Sequence, residues 1–467
     1  MERLRWFNLF KTIINAFKDS EMRKKMFFTL MIIIIYRIGS VIPVPFLNAD
    51  ALRKLMNNAT TGDNAGSFFG MMNMFSGGAF AKGTLFALSI QPSINASIIM
   101  QLLTVIIPSL EKMSKEGEEG RKKMEGIQRY LTVAIGILQA SMYYLWLRNS
   151  YVALYREGFA GTLTAFIIVM VLTAGTALIM WMGDQINDKG IGQGTSIILF
   201  AGMVARLPLL VQVLWGYLDA AIKANGQTGA IYEMMKSQLG GRDPWLFYIF
   251  VPLFLVMYFT MMWLIVFTNN AERRIPIQYA KRVVGRKLYG GQSTHIPVKF
   301  SGSGVMPVIF AQSILSLPSA VQTVMGEGRA PQWLRNVNKA LLPTDWIYPT
   351  IYYVLILFFA YFYLSIQYNP VEMANNLRQS SGIIPGLRPG KPTSDFIERV
   401  LSKITLMGAI FLGIVAVLPF IFSDLTYMHG TTFLGGTSVI IMVGVALETV
   451  KNLESQMMMR HYKGFLS

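Results

Sequence analysis

The chain has 467 residues, 53% of them hydrophobic, with a mean hydropathy of +0.44 and a net charge of +17. Apolar runs of about 18 residues or more recur along its length, enough to cross roughly 30 Å of hydrocarbon, which excludes a water-soluble fold and predicts an all-α polytopic membrane protein. The absence of Cys and the wide separation of His295, His429 and His461, all outside the apolar runs, exclude disulfides and a Cys/His metal cluster.

Residues 1–25 form a cytoplasmic N-terminal segment in which Phe7, Phe10, Ile14 and Phe17 recur three or four residues apart with basic residues between them. This pattern suits an amphipathic helix on the membrane surface, or a helix packed on a partner. No leader with a small-residue cleavage site precedes the first apolar run, so that run is expected to be a retained helix. The predicted spans are 26–43, 84–107, 130–148, 163–182, 191–211, 245–268, 304–322, 347–366, 404–422 and 433–449. An even number of spans puts both termini on one side. About 29 of the 42 Lys and Arg residues lie on that side and about 12 on the other, so the positive-inside rule places the termini in the cytoplasm. The basic face suits anionic phospholipid, or a polyanion such as ribosomal RNA. Arg37 lies within the first span. It must face the protein interior or carbonyl groups, or snorkel to the interface, because burial in lipid costs roughly 2.5–3.5 kcal/mol.

The second span and its approach, "FSGGAFAKGTLFALSIQPSINASIIMQLLTVIIP", carry Gln91, Pro92, Ser93, Asn95, Ser97 and Gln101 in an otherwise apolar run. Such polar groups are tolerated at membrane depth when they face a water-filled cavity or another helix. Just upstream, residues 66–80, "GSFFGMMNMFSGGAF", are too short to cross and are bounded by glycines, as in a re-entrant plug or a fixed extracytoplasmic cap. Residues 216–244 link the fifth and sixth spans on the extracytoplasmic side.

Two later loops exceed simple connectors. Residues 269–300 alternate in β fashion near 275–279 and 295–300 around Gly290 and Gly291, which predicts a projecting basic hairpin. In the loop 367–400, residues 367–393 concentrate Pro370, Pro385, Pro389 and Pro392 with Gly382, Gly386 and Gly390. A stiff, non-helical protrusion is expected there, with Arg388 near its tip as a docking group or a solvated charge. A cytoplasmic tail, 450–467, follows the last span.

The stretches "YRIGSVIPVP", "NMFSGGAFAKGTLFALSIQPSINASIIMQLL", "KEGEEGRKKM", "GIGQGTSIILFAGMVARLP", "AKRVVGRKLYGGQSTHIPVK", "GLRPGKPT" and "FLGGTSVIIMVGVALE" resemble, in order and over nearly the whole chain, the bacterial SecY family, the central subunit of the Sec protein-conducting channel. The resemblance implies two pseudosymmetric five-helix halves, 26–215 and 245–449, around a central pore, with a plug and a lateral gate. Carried over by motif position, the pore ring is Ile90, Ile94, Thr195, Leu199, Ile309 and Ile441; Thr195 departs from an all-aliphatic ring, and without the resemblance these positions read as ordinary helix packing. The plug is Phe69, Met71, Met72, Met74, Phe75, Gly77 and Gly78. Asn95 and Ser97 would face Gln312 and Ser313 across the lateral gate, and Arg282, Arg286, Lys287 and Arg388 would dock a motor or ribosome. The implied partners are the SecE and SecG membrane subunits, the SecA ATPase, the translating ribosome, and signal peptides and nascent polypeptides. The implied location is the bacterial inner membrane.

No enzyme is expected: there is no Walker loop, no HExxH motif and no Ser/His pair that shares a depth, and no cofactor is implied. A coupled solute transporter is disfavoured because the spans hold almost no Asp, Glu or His apart from Glu448 near a helix end.

Overall fold

The computed structural model describes residues 17–48, 50–52, 68–150, 152–155, 157–224, 241, 243–279, 282–284, 287–289, 293–300, 304–325, 330–341, 346–426, 428 and 435–463. Phe7, Phe10 and Ile14 of the predicted N-terminal amphipathic pattern, Arg286 and His429 fall outside them.

The chain enters through α1 (Ser20–Gly39), capped by Asp19, whose side chain accepts the Glu21 N–H. After a short helix, α2 (Phe68–Phe75), residues 85–90 run as turns and α3 (Gln91–Ile106) begins only at residue 91. The second span was expected to begin at 84. Pro92 sets the later start, because proline is favoured in the first helical turn, where its missing N–H costs nothing. Pro108 then opens α4 (Pro108–Lys115), bent 104° from α3. The long helices α5 (Glu118–Asn149) and α6 (Gly158–Lys189) follow.

The fifth span is two helices, α7 (Gly194–Val204) and α8 (Leu207–Ala224), so the expected linker 216–244 begins with nine residues of α8. Next come α9 (Phe247–Asn270) and the strands β1 (Glu272–Tyr279), β2 (Arg282–Val284), β3 (Lys287–Tyr289) and β4 (Ser293–Lys299). The chain continues through α10 (Met306–Met325), α11 (Gln332–Ala340), α12 (Ile347–Gln367) and α13 (Pro370–Gln379). It ends with β5 (Gly382–Ile383), α14 (Lys391–Thr426) and α15 (Gly436–Lys463). Much of the expected tail 450–467 therefore extends the last helix.

Every predicted span overlaps helix. Among the described residues, seven helices are long and apolar enough to cross a membrane, or eight if the bent pair α3–α4 is one span. On α9, Trp245 just before its start and Trp263 within it are both more than half exposed. They stand about 27 Å apart along a helix, close to the roughly 30 Å between the two interfaces where tryptophan collects.

Packing divides the helices between two cores. One gathers Ile32 and Tyr36 of α1, Tyr143 and Tyr144 of α5, Ile179 and Met182 of α6 and Ile198 of α7. The other gathers Leu210 and Leu214 of α8, Phe254 of α9, Phe310 of α10, Tyr352 of α12 and Val415 of α14. The break between α7 and α8 is where the chain passes from one core to the other. Contacts of α7 with α15, and of α10 with α5, join them.

The predicted hairpin is present: β1 and β4 pair antiparallel from Glu272↔Lys299 to Gln278↔Ser293. The second loop differs from its expectation, since residues 370–379 are helical. Pro370 stands in the first turn of α13, behind the cap Asn369, instead of breaking it. The loop then contributes β5 to the free edge of β1, giving the order β4-β1-β5. Ile275, Ile277, Val298, Leu377, Ile384, Ile397 and Leu401 form a separate core beneath this sheet.

Candidate functional site

Four elements of the two cores converge where α2 is inserted. Ile90 and Ile94 come from the start of α3, Leu199 from α7, Ile309 from α10 and Ile441 from α15. All five are at most 6% exposed and belong to one apolar cluster. Ile90 is the cap residue of α3, and its carbonyl accepts the Ile94 N–H, so the two side chains still stack one turn apart. Thr195 is half-buried at the start of α7, beside Gly194. A Cβ on Gly194 would lie 2.0 Å from the Gly183 carbonyl oxygen, so this end of α7 presses directly on the α6 backbone.

The same cluster holds Met72, Met74 and Phe75 of α2. This segment contacts α7 and α10, and Ser438 Oγ of α15 lies 2.9 Å from the Met74 sulfur. Ser89 Oγ donates to the Phe75 carbonyl at 3.1 Å. Immediately after α2, Gly77 adopts φ +63°, and a Cβ there would meet the Gly202 carbonyl oxygen at 2.7 Å. The chain can turn and approach α7 at this point only because residue 77 is glycine. Gly78, at φ +91°, has open space around it. Phe69 and Met71 lie on the helical backbone of α2.

Arg37 meets one of the requirements read from its sequence position: its Nη2 donates to the Ala201 carbonyl of α7 at 2.5 Å. This bond ties α1 to the helix that seats Gly77, a link that sequence spacing could not reveal because the partner is a backbone carbonyl.

Of the uncharged seam residues, Ser97 accepts a hydrogen bond from Gln101 on its own helix at 3.4 Å. Gln312 Oε1 and Ser313 Oγ are buried without a hydrogen-bond partner, so the cross-helix bonds expected between these pairs are not formed.

On the sheet side, Arg282 pairs with Tyr289 and Lys287 with Val284 across the β2–β3 ladder. Arg388 is exposed in the turn after β5, between Gly386 at φ +83° and Gly390 at φ +108°, and its carbonyl accepts Thr393 Oγ1 at 2.8 Å. The backbone under Arg388 is therefore fixed while its guanidinium reaches solvent.

The SecY family model matches residues 84–450. The protein translocase subunit SecY of Mycobacterium tuberculosis is 40% identical, covering 98% of this chain and 100% of its own length. That of Streptomyces scabiei is 42% identical, covering 97% and 98%. Among solved structures, a protein-conducting channel superposes with a TM-score of 0.58 at 19% identity, covering 94% of this chain and 93% of its own. Sec61 from a canine ribosome–channel complex superposes with a TM-score of 0.57, also at 19% identity, covering 93% and 92%. By sequence over nearly its full length and by fold, the chain belongs to the SecY family.

Proposed function

We propose that this polytopic chain is the channel subunit of a protein translocase. It passes unfolded secretory polypeptides across the bacterial cytoplasmic membrane and releases membrane-protein segments sideways into it. The observation that carries this reading is the convergence of Ile90, Ile94, Leu199, Ile309 and Ile441 on α2 within one buried cluster. A ring of aliphatic side chains sheds water when empty and forms no specific bond to what displaces it, so it passes varied side chains while resisting ions. In this reading the halves 26–215 and 245–449 flank the pore, and Thr195 completes the ring. Phe69, Met71, Met72, Met74, Phe75, Gly77 and Gly78 form the plug, and the seam of Asn95 and Ser97 with Gln312 and Ser313 opens toward lipid.

The chain is a channel and not an enzyme, so the work of translocation comes from a partner. We assign that work to the SecA ATPase or the translating ribosome, docked through Arg282, Arg286, Lys287 and Arg388, with SecE and SecG as membrane partners. Both termini and the β sheet face the cytoplasm in this reading, as the loop charges require.

The test is reconstitution of the purified complex with its motor in vesicles. An unfolded secretory polypeptide should become protected from external protease in an ATP-dependent manner. Accumulation of a labelled small solute with no polypeptide protection would favour a transporter instead.

A further inference from the structure

Between α10 and α12, the residues of α11 sort by chemistry around its axis. Trp333 and Val337, one turn apart, are 65% and 38% exposed, while Leu334 between them is buried at 3%. Arg335 and Lys339, also one turn apart, are exposed on another side, and the helix carries no acidic residue. It is fastened to α10, because Asn338 Nδ2 donates to the Pro318 carbonyl at 3.1 Å and to Gln322 Oε1. In the proposed topology α10 crosses the membrane, which puts α11 on the side opposite the sheet. Trp346, which begins the approach to α12 on that same side, is 65% exposed.

We propose that α11 is a binding surface for anionic phospholipid in the leaflet facing away from the sheet, an inference that rests on the chain crossing the membrane. Trp333 and Val337 enter the boundary of the acyl chains, and Arg335 and Lys339 reach the phosphates, the division of labour of an interfacial amphipathic helix. Charge complementarity selects the occupant: two cations and no acid on an apolar-faced helix at a membrane boundary suit an anionic headgroup above hydrocarbon. Through Asn338 this contact bears on α10, which also carries Ile309, Gln312 and Ser313. Lipid charge in that leaflet thereby influences the position of a helix at the pore and the seam.

The cysteine-free chain permits a direct test. Val337→Cys and, separately, Gln332→Cys on the polar side are labelled with the fluorophore NBD. The intact complex is placed in vesicles of brominated phosphatidylcholine containing increasing phosphatidylglycerol. The label at 337 should lose most of its emission to the brominated chains, increasingly as phosphatidylglycerol rises, whereas the label at 332 keeps its emission. Adding Arg335→Gln and Lys339→Gln to the 337 variant should abolish the dependence on phosphatidylglycerol. Both basic side chains are exposed, so loss of folding is not expected, and an unchanged elution profile checks this. Equal quenching at 337 in neutral and anionic vesicles would overturn the headgroup assignment. A label at 337 shielded from soluble iodide but untouched by brominated chains would show a protein partner there, and one open to iodide would show water; either result overturns the proposal.

Discussion

Thr195 is the one hydroxyl in the proposed ring, and it is half-buried at the start of α7. Thr195→Asp should hydrate the constriction and raise resting ion conductance strongly in planar bilayers. Thr195→Ile should leave conductance equal or lower, and the same acid at Ile197, on another helix face, should not give a leak of that kind. A silent Thr195→Asp complex that assembles normally would remove residue 195 from the ring. Gly77 supplies a second test. Its positive φ and its contact with the Gly202 carbonyl leave no room for a methyl group, so Gly77→Ala should weaken the seating of α2 by roughly 1–3 kcal/mol. The expected readout is a rise in resting conductance with little change in overall thermal stability; unchanged conductance would mean that α2 is held elsewhere. A third residue-scale test concerns Tyr352 and Thr437, whose hydroxyls lie 2.7 Å apart and join α12 to α15. A double-mutant cycle with Tyr352→Phe and Thr437→Val should give a coupling of about 0.6–2 kcal/mol in thermal unfolding.

At the scale of elements, hydropathy located the helices and missed their ends. The apolar run before α3 continues through residues 84–90, yet 85–90 are turns, because Pro92 favours a helix start just ahead of it. The loop 367–393 was misread for a related reason. Its proline density suggested broken backbone throughout, but Pro370 occupies the one helical turn that tolerates proline, and α13 follows. The addition of β5 to β1 was beyond local reading altogether, since strands this short carry no pattern and the pairing joins residues about 100 apart in sequence. That pairing gives Arg388 a firm base. Arg388→Glu should abolish motor-driven translocation while leaving assembly with membrane partners intact, because one reversed charge on an exposed turn barely affects folding. Normal ATP-driven import by that variant would reduce Arg388 to a surface charge.

At the scale of the whole molecule, the sequence exposed an all-helical polytopic chain with asymmetric loop charge, while its ten expected spans compare with seven or eight helices that are long and apolar enough among the described residues. What it could not expose is that the fifth span is shared, with α7 in one core and α8 in the other, because both halves of that span are apolar. Nor could the convergence of α2, α3, α7, α10 and α15 be read from periodicity; the resemblance of motifs supplied the ring positions, and the fold places the five aliphatic ones in one cluster. The proposed topology predicts that cysteines introduced at Lys115 and Arg388 are labelled only from the cytoplasm and one at Asn336 only from outside; labelling of all three from one side would overturn it. The most direct test of the channel itself is a photoreactive amino acid at Ile94 in the assembled complex, with a secretory polypeptide stalled midway by a folded domain at its end. Crosslinks from residue 94 to the stalled chain, moving along that chain as the stall point is moved, are the predicted result. Crosslinks to lipid alone, with the polypeptide still protected from protease, would show that it crosses by another route and would contradict the account.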